Sequence, residues 1–279
     1  MPRGAVGNSA AAGAPRGPAK WQAMLHLGLV TYNLARDWDL PTLLQRCEDA
    51  GFEGVELRTQ HAHGVEPTLD AAARREVRAR FAASPVRLVG IGTVCEYHAL
   101  EPEVVEANVA ATRAAIDLAA DLGCPGVKVR PNGHQEARGV PRAATLRQIG
   151  EALRRCGEHA QARGVQVRLE MHGSVAAAAD IAAILEACGS PAVAVCWNCN
   201  AVDVRGGSVA EDFALLRGRI GLVHIQELWS PAYPWRELFG LLRDSGYGGY
   251  CLAEIPASPD PVRLMRYYRA LFQQLAGQG

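Results

Sequence analysis

The sequence predicts an α/β fold, a single barrel of eight strand–helix units. Three observations predict it. Short β-branched or apolar runs alternate strictly with long amphipathic stretches from residue 24 onward. Helical crossovers make consecutive strands parallel, and eight such units suffice to close a (β/α)8, or TIM, barrel of roughly 250 residues. The rival open, doubly wound sheet would carry a glycine-rich phosphate loop after an early strand, and neither that fingerprint nor a Walker-type loop is present.

Residues 1–20 are rich in Ala, Gly and Pro and lack the apolar stretch of a signal peptide. They predict a flexible, disordered tail over residues 1–23, followed by one barrel domain over 24–279. The strand-like runs are 25–31, 54–58, 86–92, 126–130, 165–170, 192–197, 220–226 and 249–255. Asp39 before Leu40-Pro41 and Asp260 before Pro261 are helix-start signals, with Thr68, Ser174 and Ser208 as candidate caps elsewhere. Gly51, Gly123, Gly164 and Gly246 each follow a helical pattern and precede a strand, as helix-terminating glycines do.

Composition narrows the function. Of 279 residues, 49% are hydrophobic and 21% charged, so wholesale disorder is excluded. Lys+Arg and Asp+Glu both number 29, a balance that argues against a nucleic-acid or anionic-membrane partner. No run of about 18 apolar residues exists to span a bilayer. The 8 cysteines are scattered through apolar patterns, which predicts reduced, buried thiols and a cytoplasmic protein.

Barrel strands alternate inward and outward side chains. In Val165-Gln166-Val167-Arg168-Leu169-Glu170 the apolar residues suit the helix-facing side, which leaves Arg168 and Glu170 inside. The same alternation puts Glu56 and Arg58 inside on the second strand and Lys128 and Arg130 inside on the fourth. Asn198 ends the sixth strand, His224 lies on the seventh and Glu254 ends the eighth. Chemistry in such barrels is built at the carboxyl ends of the strands. Two readings remain open for these charges: a site, or a salt-bridge network that fills the barrel.

Leu169-Glu170-Met171-His172-Gly173, Val223-His224-Ile225 and Leu252-Ala253-Glu254, with Tyr233-Pro234-Trp235-Arg236-Glu237-Leu238 and Gly246-Tyr247-Gly248-Gly249, together resemble the sugar-phosphate isomerase/epimerase family of the xylose-isomerase-like barrels. The likeness covers nearly the whole chain after the tail. It implies a divalent metal held by Glu, Asp, His and Glu from strands five to eight. Glu170, His224 and Glu254 match directly. The Asp position falls on Asn198, and Ala201 stands where many relatives carry a histidine three residues later. An amide oxygen still coordinates a hard cation, at lower affinity because it carries no charge.

Two glutamates, an imidazole and an amide suit Mn²⁺, Mg²⁺ or Co²⁺ better than a thiolate-bound zinc. By the resemblance, Glu170 and Glu254 are metal ligands that also serve as acid and base across a bound sugar, with an enediolate between the two proton transfers. The expected activity is isomerisation or epimerisation of a small sugar or cyclitol-like hydroxy-carbonyl compound. A lyase using the same proton abstraction and a non-catalytic sugar-binding barrel are the alternatives; the apurinic-site endonucleases that share the barrel are disfavoured by the charge balance, Asn198 and Ala201.

Lys128 and Arg130 are candidates to hold a phosphate, a carboxylate or the enediolate oxygen, or else to pair with Glu56 or Glu170. Glu56, His63, His172 and Asn200 complete the expected substrate contacts; His61-Ala62-His63 is equally readable as a solvent-exposed loop, and His172 as a structural histidine. Cys95 to His98 follow strand three toward the mouth. The C-x-x-C of Cys196 and Cys199 ends a strand, which speaks against a redox or zinc motif. Trp229, Tyr233 and Trp235 offer a lid, core packing or a subunit contact, and a homodimer is compatible with exposed barrel helices.

Overall fold

The structure, a computed structural model, describes Met1 and residues 24–278. Met1 apart, the tail expected over 1–23 lies outside the described residues. The barrel is closed, in the order β1-β2-β3-β4-β5-β6-β7-β8, and every strand pair is parallel. The strands are β1 (His26–Val30), β2 (Gly54–Arg58), β3 (Arg87–Gly92), β4 (Gly126–Val129), β5 (Gln166–Glu170), β6 (Val193–Asn198), β7 (Ile220–Ile225) and β8 (Tyr250–Ala253). Between and after them run α1 (Leu40–Ala50), α2 (Ala71–Ala82), α3 (Pro102–Leu122), α4 (Arg142–Arg163), α5 (Ala178–Cys188), α6 (Ala210–Leu216), α7 (Trp235–Asp244) and α8 (Pro261–Ala276). No helix among the described residues is long and apolar enough to cross a membrane.

The start and stop signals act mostly as expected. Asp39 accepts from the Thr42 amide at 2.9 Å and Asp260 from the Arg263 amide at 3.3 Å, each satisfying one of the first amides of its helix. Gly51, Gly123 and Gly164 end α1, α3 and α4 in the left-handed conformation that costs glycine little. Two caps differ. Asp70, not Thr68, caps α2, accepting from Ala73 N at 2.8 Å. Ser174 sits in the 3-10 turn Gly173–Val175 ahead of α5, and its hydroxyl accepts from the His134 amide at 3.1 Å.

Odd-numbered strand residues such as Leu29, Val55, Val127, Leu169, Trp197, Val223 and Ala253 are buried against the helices and form the main core. Even-numbered residues point inward, except that on β3, where the register slips by one residue opposite Val55 and Glu56, Val89 turns inward and Leu88 packs in the main core. On the inward side a small apolar group of Val30, Val89, Cys196, Leu222 and Leu252 is surrounded by buried charge: Glu56, Lys128, Arg168, Glu170 and His224. Glycine makes room for those charges. A Cβ at Gly90 or Gly92 would stand 2.9 or 2.7 Å from the Glu56 carboxylate oxygens, and one at Gly126 would stand 2.5 Å from the Arg168 guanidinium carbon. All eight cysteines are free and buried, as their scatter predicts.

Candidate active site at the carboxyl end of the barrel

Neighbouring strand ends build the site. Glu170 is the last residue of β5 and Asn198 the last of β6. Asn198 stands opposite His224 in the β6–β7 register. Glu254 follows β8 directly, and its amide continues the ladder by donating to Ile225 O at 2.8 Å. Ligand atoms of Glu170, His224 and Glu254 all lie within 4.8 Å of one another. Four residues separated by up to 84 positions in sequence therefore converge on one end of the barrel.

These side chains are held by charge. Lys128 Nζ donates to Glu170 Oε2 at 2.8 Å and to Thr93 O at 3.4 Å. The other Glu170 oxygen faces His224 Nδ1 at 3.3 Å, and His224 Nε2 faces Glu56 Oε1 at 3.5 Å. Burial alone would raise the Glu170 carboxyl, but Lys128 and His224 outweigh it and hold the group well below the usual carboxylate range. Glu254 goes the other way: burial raises it, and the pull of His224 does not compensate. Two carboxyls facing one opening thus differ in proton affinity because only one has an ammonium beside it.

Several polar atoms here have no partner among the described residues. Asn198 Oδ1, both His224 ring nitrogens and both Glu56 oxygens are buried without an aligned hydrogen bond. Such atoms are costly to bury, and a cluster of them calls for an explanation. A hard divalent cation fits this donor set, with carboxylate and amide oxygens and one imidazole nitrogen. Lys128 occupies one oxygen of Glu170 and leaves the other toward His224.

Above these groups opens a cavity of about 150 Å³ lined by Val30, Tyr32, Arg58, Lys128, Arg130, Glu170, His172 and Glu254. A wider recess of about 480 Å³ adjoins it through Tyr32, His172 and Glu254, and adds Asn33, Gly173, Asn198, Asn200 and Gln226. His172 Nδ1 is hydrogen-bonded to Asn132 Oδ1 at 2.9 Å, which fixes its ring at the mouth. The Asn200 amide donates to Met171 O and Asn198 O, both at 2.7 Å, so it ties the rim of β6 to that of β5. Arg130 lines the cavity but is already paired with Glu96. Lys128 pairs with Glu170 rather than standing free for substrate.

Two expected substrate contacts are not at the opening. His63 is buried and both its nitrogens are engaged, Nε2 with Arg58 O at 2.8 Å and Nδ1 with the Val65 amide at 3.0 Å; it shapes the loop after β2. Glu56 is fully buried beneath the site and lines neither cavity, because it lies two residues before the end of its strand. Its carboxylate faces His224 instead. The aromatic stretch after β7 does not close over the opening either: Tyr233 and Trp235 are buried in the core, and Trp229 is exposed beside a separate recess against α8. Sequence reasoning missed Tyr32, Asn33 and Gln226 as lining residues, although each follows β1 or β7 closely and the strand-end rule would have found them.

The sequence profile described as xylose isomerase-like TIM barrel matches residues 44–274. No curated protein matches the chain. Among solved structures, an L-ribulose 3-epimerase superposes with a TM-score of 0.77 at 20% identity, covering 91% of this chain and 95% of its own. A 3-keto-D-glucoside 4-epimerase from E. coli gives 0.72 at 18% identity, covering 90% and 99%. A D-psicose 3-epimerase from Clostridium cellulolyticum gives 0.77 at 13% identity, covering 90% and 99%. At these identities the structures share the fold with this chain. With the profile spanning every strand from β2 to β8, the chain belongs to the xylose isomerase-like TIM barrel family.

Proposed function

We propose that this protein is a metal-assisted sugar epimerase or isomerase that moves a proton at the carbon beside a ketone. The observation that carries this reading is the pair Glu170 and Glu254, which line one cavity and bring their carboxylates within 4.8 Å of each other and of His224. Two carboxyl groups facing one small opening can serve as acid and base on a substrate held between them. The sugar epimerases among the fold's neighbours agree with it.

In this mechanism one carboxylate takes the proton from the carbon, and the electron pair moves to the carbonyl oxygen to give an enediolate. The other carboxyl delivers a proton to the opposite face, which restores the ketone with inverted configuration. Glu254, whose affinity is raised, is suited to exchange a proton; Glu170 is kept ionised by Lys128, which also brings positive charge toward the enediolate oxygen. Glu170, Asn198, His224 and Glu254 would hold a divalent ion of the Mn²⁺, Mg²⁺ or Co²⁺ kind, which would supply Lewis acidity when bound. Glu56, facing the far nitrogen of His224, acts as the orienting partner that ligating histidines usually have. His172 and Tyr32 border the sugar.

Incubating the Mn²⁺-replete protein in D₂O with neutral and acidic keto-sugars, inososes and 3-keto-glycosides, and following loss of C–H signals by proton NMR, tests the reading. Exchange with at least one substrate is expected, and Glu254→Gln is expected to lower it by about 10²–10⁴-fold. Release of water or of a second fragment would convert the assignment to a lyase. No exchange with any substrate, or full exchange by Glu254→Gln, would overturn it.

A further inference from the structure

Among the described residues, the cavity over Glu170 and Glu254 holds one cation that no carboxylate pairs. Three cationic side chains line it: Arg58, Lys128 and Arg130. Lys128 is neutralised by Glu170, and Arg130 by Glu96. Arg58 has no carboxylate within ion-pair distance among the described residues; its Nη1 donates to Thr59 O at 3.0 Å and to Thr59 Oγ1 at 3.2 Å, which anchors one edge of the guanidinium. The Arg58 side chain borders the cavity. Arg130 Nε is buried there without a partner.

Like charges placed together in a half-buried cleft repel and cost free energy, so proteins keep them mainly where a ligand offsets the cost. Burial and the nearby Arg130 lower the proton affinity of Arg58, and the more distant Glu56 and Glu170 charges offset this only in part. The position is also set with care. Arg58 ends β2, its amide donates to Thr31 Oγ1 at 2.9 Å, and its carbonyl accepts from the buried His63 ring. The loop that His63 shapes thus holds the backbone from which the guanidinium projects. A neutral sugar would need no such arrangement.

We infer that Arg58, assisted by Arg130, binds an anionic group of the substrate, a carboxylate or a phosphate, beside the carbon that exchanges its proton. Guanidinium forks match both groups through paired N–H donors. The substrate class is therefore an acidic or phosphorylated keto-sugar. This inference rests on the epimerase reading for its substrate, but the anion site is testable without turnover.

Calorimetric titration at fixed ionic strength, with inorganic phosphate, D-glucuronate and neutral D-glucose as probes, provides the test. The wild type is expected to bind phosphate or glucuronate at one site per chain, and the tighter of the two names the group. Arg58→Gln is expected to weaken that binding at least tenfold, without changing the weak glucose response. Arg58→Lys keeps the charge and loses the fork, so a smaller loss is expected; it also carries the test if Arg58→Gln does not fold, as judged by its melting curve. Absence of saturable binding by either anion, or equal affinity in wild type and Arg58→Gln, would overturn the inference. Anion binding without hydrogen exchange would leave the site standing and sink the epimerase reading; exchange of a neutral sugar without anion binding would do the reverse.

Discussion

The floor and the mouth of this barrel are built from the same alternating positions, yet they treat buried charge in opposite ways. At the floor, Arg168 Nη1 donates to Val89 O at 2.7 Å and its Nε to Gln166 Oε1 at 3.0 Å. Gly126 leaves the space that its guanidinium fills. Two residues further along the same strand, Glu170 belongs to a group in which Glu56, Asn198 and His224 keep buried atoms without aligned partners. The floor is a closed structural network, and the mouth is one short of partners. The contrast teaches where to look for function: the informative buried charge is the one whose hydrogen bonds are incomplete.

Three changes would break or sharpen that contrast. The largest effect is expected at the mouth, where Glu170→Gln and Glu254→Gln should each reduce hydrogen exchange by about 10²–10⁴-fold in the NMR assay, with the melting temperature little changed in Glu254→Gln and lowered in Glu170→Gln, which leaves the buried Lys128 ammonium without its carboxylate. A comparable loss of exchange from a floor substitution would erase the distinction.

Asp203, at the base of the loop after β6, extends the strain of the mouth. It accepts from the Asn200 amide at 2.9 Å, but its Oδ1 has no partner among the described residues. Burial, with the Asp212 charge adding to it, pushes the carboxyl up from 3.8 to about 7. Between those two values the native chain keeps a proton that the unfolded chain has released, so stability falls as pH rises through this window. Asp203→Asn should remove that dependence. Denaturant melts at pH 4 should give similar stabilities for the two proteins, and at pH 8 the variant should be more stable by about 3 kcal/mol. A parallel pH profile for both would show that Asp203 is ionised in the fold.

The smallest effect is expected at the floor. Arg168→Met leaves Val89 O and the Gln166 amide oxygen without their donor, which should cost about 1–3 kcal/mol in urea unfolding. Hydrogen exchange should stay within about threefold, because Arg168 lines neither cavity and its guanidinium turns back toward Gly126.

The fold and the inward placement of Glu56, Lys128, Arg168 and Glu170 were legible in the sequence for one physical reason: side chains alternate along these strands. Once Leu169 faces the helices, Glu170 must face inward, and the same holds for Lys128 beside Val127 and Val129. Depth was not legible. Alternation puts Glu56 and Arg58 on one face equally, but only Arg58, at the strand end, reaches the cavity. Loop residues were least legible. His63 follows β2 as a solvent-facing residue would, and its burial depends on where Val65 and the Arg58 carbonyl fall in space. The shift of a cap from Thr68 to Asp70 has a similar origin, since both residues are competent and the packing of α2 decides between them.

The central claim is that the mouth's unpartnered atoms form a cation site. Titrating chelator-treated protein with Mn²⁺, and reading free Mn²⁺ by electron paramagnetic resonance, tests it most directly. The account predicts one bound Mn²⁺ per chain, affinity at least 100-fold weaker in Glu170→Ala, and affinity unchanged in Arg168→Met. No Mn²⁺ binding by the wild type, or equal binding by wild type and Glu170→Ala, would contradict it.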